Sequence, residues 1–271
     1  MPLKKHFSAS IFVPLLALLC LAVQPLPAQA GDSNVVIWGG PPTVRQVALT
    51  FDDGPSPGYT EIISSLLQQY GARGTFFVLG NHVEQYPRIV QAVLRAGHEV
   101  GNHTFDHPRL TQTAESVREQ ELERTALDLS LLGYHPEHPL FRPPFSAYDA
   151  RLVAYLAHTH RRMVLWGIDS GDWQGLPAER IAHNVVDRVK PGAIIIFHDS
   201  DETGQADRRP TVAALKLILP ALQAAGYGMV TISQLVAGTD APKSAPVRTD
   251  PPKPVKPGPL LQVEAAKAGP W

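Results

Sequence analysis

A distorted (β/α) barrel of seven or eight parallel strands, its active site at the carboxyl ends of those strands, is the fold class this sequence predicts. Three observations point to it. Short β-rich runs alternate with helix-patterned segments. Glycines close the helical patterns where C-terminal caps belong. Polar clusters recur just after the strand-like runs, as happens in barrels whose functional side chains converge from several strand ends onto one face. An open doubly wound sheet is the alternative built from the same elements.

In chain order, strands are expected at 47–51, 75–79, 98–101, 140–142, 163–168, 193–197 and 229–232, most of them rich in β-branched or aromatic residues. Between them, Ile62, Ile63, Leu66, Leu67 and Tyr70 have the spacing of one helix face, as do Ile89, Val90, Val93 and Leu94. Gly71, Gly97, Gly133 and Gly226 follow such patterns and are expected as C-terminal caps.

The chain of 271 residues divides by composition. Lys4, Lys5 and His6 precede an apolar stretch from Ile11 to Val23, and Ala28-Gln29-Ala30 has the small-x-small pattern of a cleavage site, so residues 1–30 are expected to be a secretory signal peptide. A retained membrane anchor is the competing reading, but Pro14, Gln24, Pro25 and Pro27 leave the uninterrupted apolar run short of the ~20 residues a spanning helix needs. The single cysteine, Cys20, lies in that segment, so a processed chain has no disulfide to rely on. Bulky Leu19 argues against Cys20 as a lipidation site. Residues 31–43 form a lead-in, 44–238 one compact domain, and 239–271 a Pro-rich tail expected to be disordered, with eight prolines from Ala241 onward. The tail's Lys243, Arg248, Lys253, Lys256 and Lys267 outnumber its acids and suit contact with an anionic cell wall. A net charge of −1 gives no electrostatic case for nucleic acid.

The chemistry is concentrated in three clusters. Asp52-Asp53-Gly54 follows the first expected strand, His103-Thr104-Phe105-Asp106-His107 follows the third, and His198-Asp199 follows the sixth. A carboxylate and two imidazoles can hold a divalent ion while leaving a position open for water, with another carboxylate and a third imidazole left for proton transfer. Singly, each cluster has an ordinary explanation: an Asp-Asp-Gly turn, histidines falling close together among 11, or a core histidine beside a capping carboxylate. Their shared strand-end position, with Arg142, Asp169 and Asp172 also near strand ends, turns the balance toward a hydrolytic metal site.

Thr50-Phe51-Asp52-Asp53-Gly54, the run from Gly97 to Pro108, Arg142-Pro143-Pro144-Phe145, Asp169-Ser170-Gly171-Asp172-Trp173 and Ile196-Phe197-His198-Asp199 resemble the five ordered motifs of the polysaccharide deacetylases, carbohydrate esterase family 4 with its NodB-homology domain. The run from Gly71 to Val78 resembles that family's second strand. The resemblance implies that Asp53, His103 and His107 bind one divalent ion, zinc as a rule, with cobalt or nickel accepted by related enzymes. It implies Asp52 as general base, Arg142 as the partner that keeps it ionised and oriented, and His198 as general acid, its pKa raised by a carboxylate of the fourth motif. Asp172 is favoured for that pairing, with Asp169 as a supporting group. Pro143 and Pro144 have no N–H, so Phe145 is the first backbone donor after Arg142 for the acyl oxyanion. Trp173 and Ile196 would flank the acetyl methyl; their ordinary alternative is core packing.

Three residues depart from the family pattern: Ser146 where many relatives have Gly, Phe145 for the commoner Tyr, and Ile196 for Leu. None is a ligand or a proton-transfer group, so the departures bear on sugar preference and not on the reaction. The implied activity is secreted, metal-dependent removal of N-acetyl groups from an N-acetylglucosamine polysaccharide, peptidoglycan first and chitin or its oligomers next. An acetylxylan esterase of the same family is the alternative. A non-catalytic wall glycan-binding module is disfavoured, because it has no need of an intact base and acid.

Overall fold

Nine strands form one sheet in the order β1-β6-β5-β4-β3-β2-β8-β7, with β9 pairing to the start of β2, and every ladder in it is parallel. The computed structural model describes residues 35–238; the expected signal segment with Cys20 and the Pro-rich tail lie outside the described residues. The strands are β1 (Val36–Ile37), β2 (Gln46–Gly54), β3 (Gly74–Val78), β4 (Glu99–Asn102), β5 (Leu140–Phe141), β6 (Arg162–Val164), β7 (Ile168–Asp169), β8 (Ile194–His198) and β9 (Gly228–Met229). The helices are α1 (Tyr59–Gln69), α2 (Gly80–Gln85), α3 (Pro87–Arg95), α4 (Glu115–Leu131), α5 (Ala150–His158), α6 (Ala178–Val186), α7 (Arg209–Ala224) and α8 (Ile232–Ala237). The sheet curls into the expected distorted barrel, and the doubly wound alternative is set aside.

Alternation along the strands sorts side chains between two cores. Val47, Leu49 and Phe51 of β2, with Phe76, Ile195 and Phe197, pack outward against Ile63 and Leu67 of α1 and Leu215 and Ile218 of α7. Phe51 stacks on Phe76 and Phe197 at 4.9 and 5.6 Å, contacts worth ~1 kcal/mol each beyond area burial. Ala48, Phe77, Leu140, Val164 and Ile194 fill the barrel interior. Thr50, Asp52, Ile196 and His198 share the inward parity, so the interior becomes polar toward the carboxyl ends.

The expected strand at 163–168 is two strands. Leu165 N–H bonds to the Ile37 carbonyl while Gly167 N–H bonds to the Ile194 carbonyl, so the chain leaves one side of the sheet and joins the other within three residues. The expected strand at 229–232 ends at Met229. There Thr231 caps α8: its side chain accepts from Gln234 N–H, and the Gln234 side chain accepts from Thr231 N–H. Val36–Ile37, in the lead-in, adds a strand on β6 that was not among the expected seven, although Val35-Val36-Ile37-Trp38 is an apolar β-branched run closed by Gly39-Gly40. Gly71, Gly97, Gly133 and Gly226 all have positive φ, between 65° and 81°, as caps require.

Candidate active site

Two adjacent carboxylates on a regular strand would point to opposite faces. Here the β2–β3 register slips between Asp52 and Gly54, and Asp53 takes φ 73°. This bulge re-aims Asp53, so that both carboxylates line one groove of about 660 Å³. Gly54 fits the bend because Asp199 packs against it: a Cβ there would lie 2.2 Å from Asp199 Oδ2.

His103 and His107 come from the loop after β4. Asn102 shapes its start, its Oδ1 accepting from Thr104 N–H at 2.8 Å and its Nδ2 donating to the Leu122 carbonyl at 2.8 Å. Thr104 and His107 have φ of 74° and 60°. Nδ1–H of His103 donates to the Arg142 carbonyl at 2.7 Å; a carbonyl only accepts, so Nε2 keeps its lone pair for the site. Nε2 of His103 and Nε2 of His107 each lie 3.4 Å from Asp53 Oδ1. That oxygen is buried and has no hydrogen-bond partner among the described residues. Burial opposes ionisation of Asp53, but His103, His198 and His107 outweigh it and hold the carboxyl well below the usual range. Burial and His103 lower His107 to about 4, against the opposing charges of Asp53, Glu202 and Asp52.

Lone pairs of three ligands turned on one point repel each other unless a cation stands between them. The ligand atoms lie within 4.8 Å of one another, and a spacing of about 3.4 Å is the edge of a tetrahedron whose ligand bonds are ~2.1 Å long. The residues present therefore fit the divalent ion.

Beside this triad, Arg142 crosses the barrel interior with no exposed surface. Its guanidinium donates to Asp52 Oδ1 at 2.7 Å, to Thr50 Oγ1 at 2.8 Å and to the Val164 carbonyl at 3.2 Å, and lies 4.1 Å over the Phe77 ring. Burial lowers the Arg142 pKa from its ordinary value, and the Asp52 carboxylate opposes that drop. His198 is the register partner of Asp52 on the neighbouring strand β8. Nδ1–H of His198 donates to Asp172 Oδ1 at 2.8 Å, while Asp172 Oδ2 accepts from the His198 N–H at 2.8 Å and from Thr211 Oγ1 at 2.9 Å. Burial disfavours charge on both partners, yet Asp172, with Asp53 and Asp52, raises His198 to about 9. Asp172 is correspondingly held below the usual carboxylate range, mainly by His198 against the effect of burial.

The choice between the two acids of the fourth motif is thus resolved by geometry. Asp169 accepts from Gly171 N–H at 2.8 Å and from Trp173 Nε1–H at 3.4 Å, shaping the loop that carries Trp173. Trp173 is exposed and Ile196 buried, and both line the groove. Phe145, also on the groove, has φ 58° and an N–H with no acceptor among the described residues. Ser146 follows at φ 55°, which explains why glycine suits that position; a serine there costs on the order of 1 kcal/mol.

Three contributors escaped sequence reasoning. His82, 4% exposed, donates from Nδ1 to the Asp53 carbonyl at 2.8 Å. Thr211, on α7, supports Asp172. Asp199, recognised in its motif but given no role, is fully buried beneath Gly54, accepts from Thr60 Oγ1, and is pushed by burial to about 7.

Residues 39–164 match the family described as polysaccharide deacetylase. A peptidoglycan-N-acetylglucosamine deacetylase of Bacillus cereus is 38% identical over 208 residues, which span 75% of this chain and 94% of that protein. The chain belongs to the polysaccharide deacetylase family. A second member, a chitooligosaccharide deacetylase of Azorhizobium caulinodans, is 33% identical over 190 residues, covering 68% of this chain and 90% of the other. Among solved polysaccharide deacetylase structures, a peptidoglycan N-acetylglucosamine deacetylase superposes with a TM-score of 0.71 at 32% identity, covering 77% of this chain and 95% of that one. A family 4 carbohydrate esterase from Streptomyces lividans in complex with acetate gives a TM-score of 0.61 at 34% identity, over 68% and 90% of the two chains.

Proposed function

We propose that this polysaccharide deacetylase is an exported, metal-dependent enzyme that removes N-acetyl groups from N-acetylglucosamine residues of a polysaccharide, with peptidoglycan the leading substrate and chitin or its oligomers next. The observation that carries the reading is that two proton-transfer groups, each held by its own buried partner, share one groove with the ligand triad: Asp52 held by Arg142, and His198 held by Asp172. The names of the relatives favour an N-acetylglucosamine polymer. Export follows from the basic, then apolar, then small-residue pattern of residues 1–30, and the Pro- and Lys-bearing tail suits contact with the wall.

The ion, zinc in this proposal with cobalt or nickel as alternatives, would be held by Asp53, His103 and His107, and when bound it supplies Lewis acidity to the acyl oxygen and acidity to water. Asp52 takes a proton from the attacking water, and the buried Arg142 keeps Asp52 ionised and aimed. The Phe145 N–H meets the acyl oxygen as it gains negative charge, a contact of the kind worth ~3 kcal/mol in such sites. Protonated His198 gives its proton to the amide nitrogen as the C–N bond breaks, so the sugar leaves as a free amine and the acyl group as acetate. Trp173 and Ile196 flank the space for the methyl group.

The test is acetate release by the zinc-reconstituted protein from peptidoglycan, chitooligosaccharides and acetylxylan side by side. Acetate from the N-acetylglucosamine polymers is the expected result. Release from acetylxylan alone would make the chain an esterase, and binding of glycan with no release from any polymer would make it a wall-binding module.

A further inference from the structure

The two loops that carry the ligand triad are joined by a short segment with no reacting group of its own. Between β3 and the body of α2, Leu79 N–H donates to the Gly54 carbonyl at 2.9 Å, Gly80 N–H to the Thr104 carbonyl at 3.0 Å, and Asn81 N–H to the Phe105 carbonyl at 3.2 Å. His82 Nδ1–H adds the bond to the Asp53 carbonyl at 2.8 Å. The first and last of these grip the β2 bulge, and the middle two grip the loop after β4.

Both gripped loops hold non-glycine residues in the left-handed region, Asp53 at φ 73°, Thr104 at 74° and His107 at 60°. Each such residue costs on the order of 1 kcal/mol and persists only where its surroundings fix it. At Asp53 the fixing contact beyond the backbone ladder is His82, the side chain of the clamp that bonds to the bulge, whereas the Asn81 side chain donates to Asp106 in the other loop at 3.1 Å. Its ring is buried, and a Cβ on Gly204 would come within 3.5 Å of its Nε2, so the turn beyond β8 closes over its far edge. Because the acceptor is a carbonyl, Nδ1 must carry the proton, and the bond sets the plane of the Asp53–Gly54 peptide from which the ligating carboxylate projects.

We propose that His82 is a positioning residue for Asp53, holding the bulge peptide so that its carboxylate meets the two imidazoles, and that it thereby sets metal affinity and takes no part in proton transfer. The inference rests on the reading of Asp53, His103 and His107 as the metal centre.

The experiment measures zinc affinity of the EDTA-stripped full chain by competition with a chromophoric chelator, for wild type, His82→Asn, His82→Gln and His82→Phe, with thermal unfolding of each metal-free protein alongside. The Asn amide can donate from nearly the position of Nδ1, whereas Gln donates from nearer the position of Nε2 and Phe donates nothing. His82→Phe should bind zinc ~10–100-fold more weakly, the usual effect of losing a group that orients a ligand, with His82→Gln also weakened and His82→Asn within ~3-fold of wild type. Rescue by Asn and not by Gln is what mere filling of space would not produce. Unchanged affinity in all three variants, or equal weakening in Asn and Gln, overturns the proposal, and the Asn–Gln comparison decides it even where the Phe variant fails to fold. Failure of the wild-type protein to bind zinc overturns the metal centre itself and this inference with it.

Discussion

Replacing Asp172 by Asn removes the charge that holds His198 protonated while keeping nearly the same shape. In the metal-free protein, the rise of His198 from 6.5 to about 9 corresponds to ~3 kcal/mol in favour of the protonated folded state. The folded value lies above the unfolded one, so this stabilisation is complete below about pH 6.5 and is lost as pH rises through about 9. Without Asp172 the imidazole should titrate at about 6.5 or lower, because burial then acts with less opposition. At about pH 8 the acid form would fall from ~90% to ~3% of molecules, a ~30-fold loss of general acid. Because the His198 N–H still needs an acceptor, the Asn amide turns its NH2 toward Nδ1, which leaves Nδ1 unprotonated and disfavours the imidazolium that acts as the acid. NMR titration of the His198 ring in EDTA-treated wild type and Asp172→Asn is the direct assay, with urea unfolding at about pH 6.5 and about pH 9.5 as the energetic companion. A wild-type ring titrating near 6.5, or a variant ring still titrating near 9, would refute the reasoning.

Asp52→Asn should retain stoichiometric zinc yet lose ~10²–10⁴-fold in kcat, since it removes the base and leaves the ligands intact; near-normal turnover would mean another group takes the proton. His103→Ala should lose zinc and acetate release together, and full zinc stoichiometry by elemental analysis would count against the ligand set. Gly54→Ala drives a Cβ onto the Asp199 carboxylate and should cost ~1–3 kcal/mol, seen as a lower midpoint in thermal unfolding; an unshifted midpoint would mean that the contact relaxes freely.

Much of the site was legible because strand ends announce themselves: β-rich runs stop at Phe51 and Phe197, and the residues that follow are acids and imidazoles. The pairing of Asp172 with His198 was favoured but not decided, since Asp169 and Asp172 share one loop and only the fold shows which faces the imidazole. The bulge at Asp53 left no trace, because one slipped residue changes side-chain direction without changing composition. His82 was one histidine among 11, and its partner is a backbone carbonyl that no side-chain pattern can reveal. The end of β9 was readable after all: Thr231-Ile232-Ser233-Gln234 is a capping-box spacing that the β-branched run around it obscured.

Arg142 performs two duties with different atoms: its carbonyl steadies the His103 ring, while its guanidinium anchors Asp52. Any amino acid has the carbonyl, but only arginine brings this fork. On the proposed reading, drift at position 142 would therefore disarm the proton acceptor first and spare the imidazole support, so a descendant that lost hydrolysis by this route would keep the three side chains proposed to hold the ion.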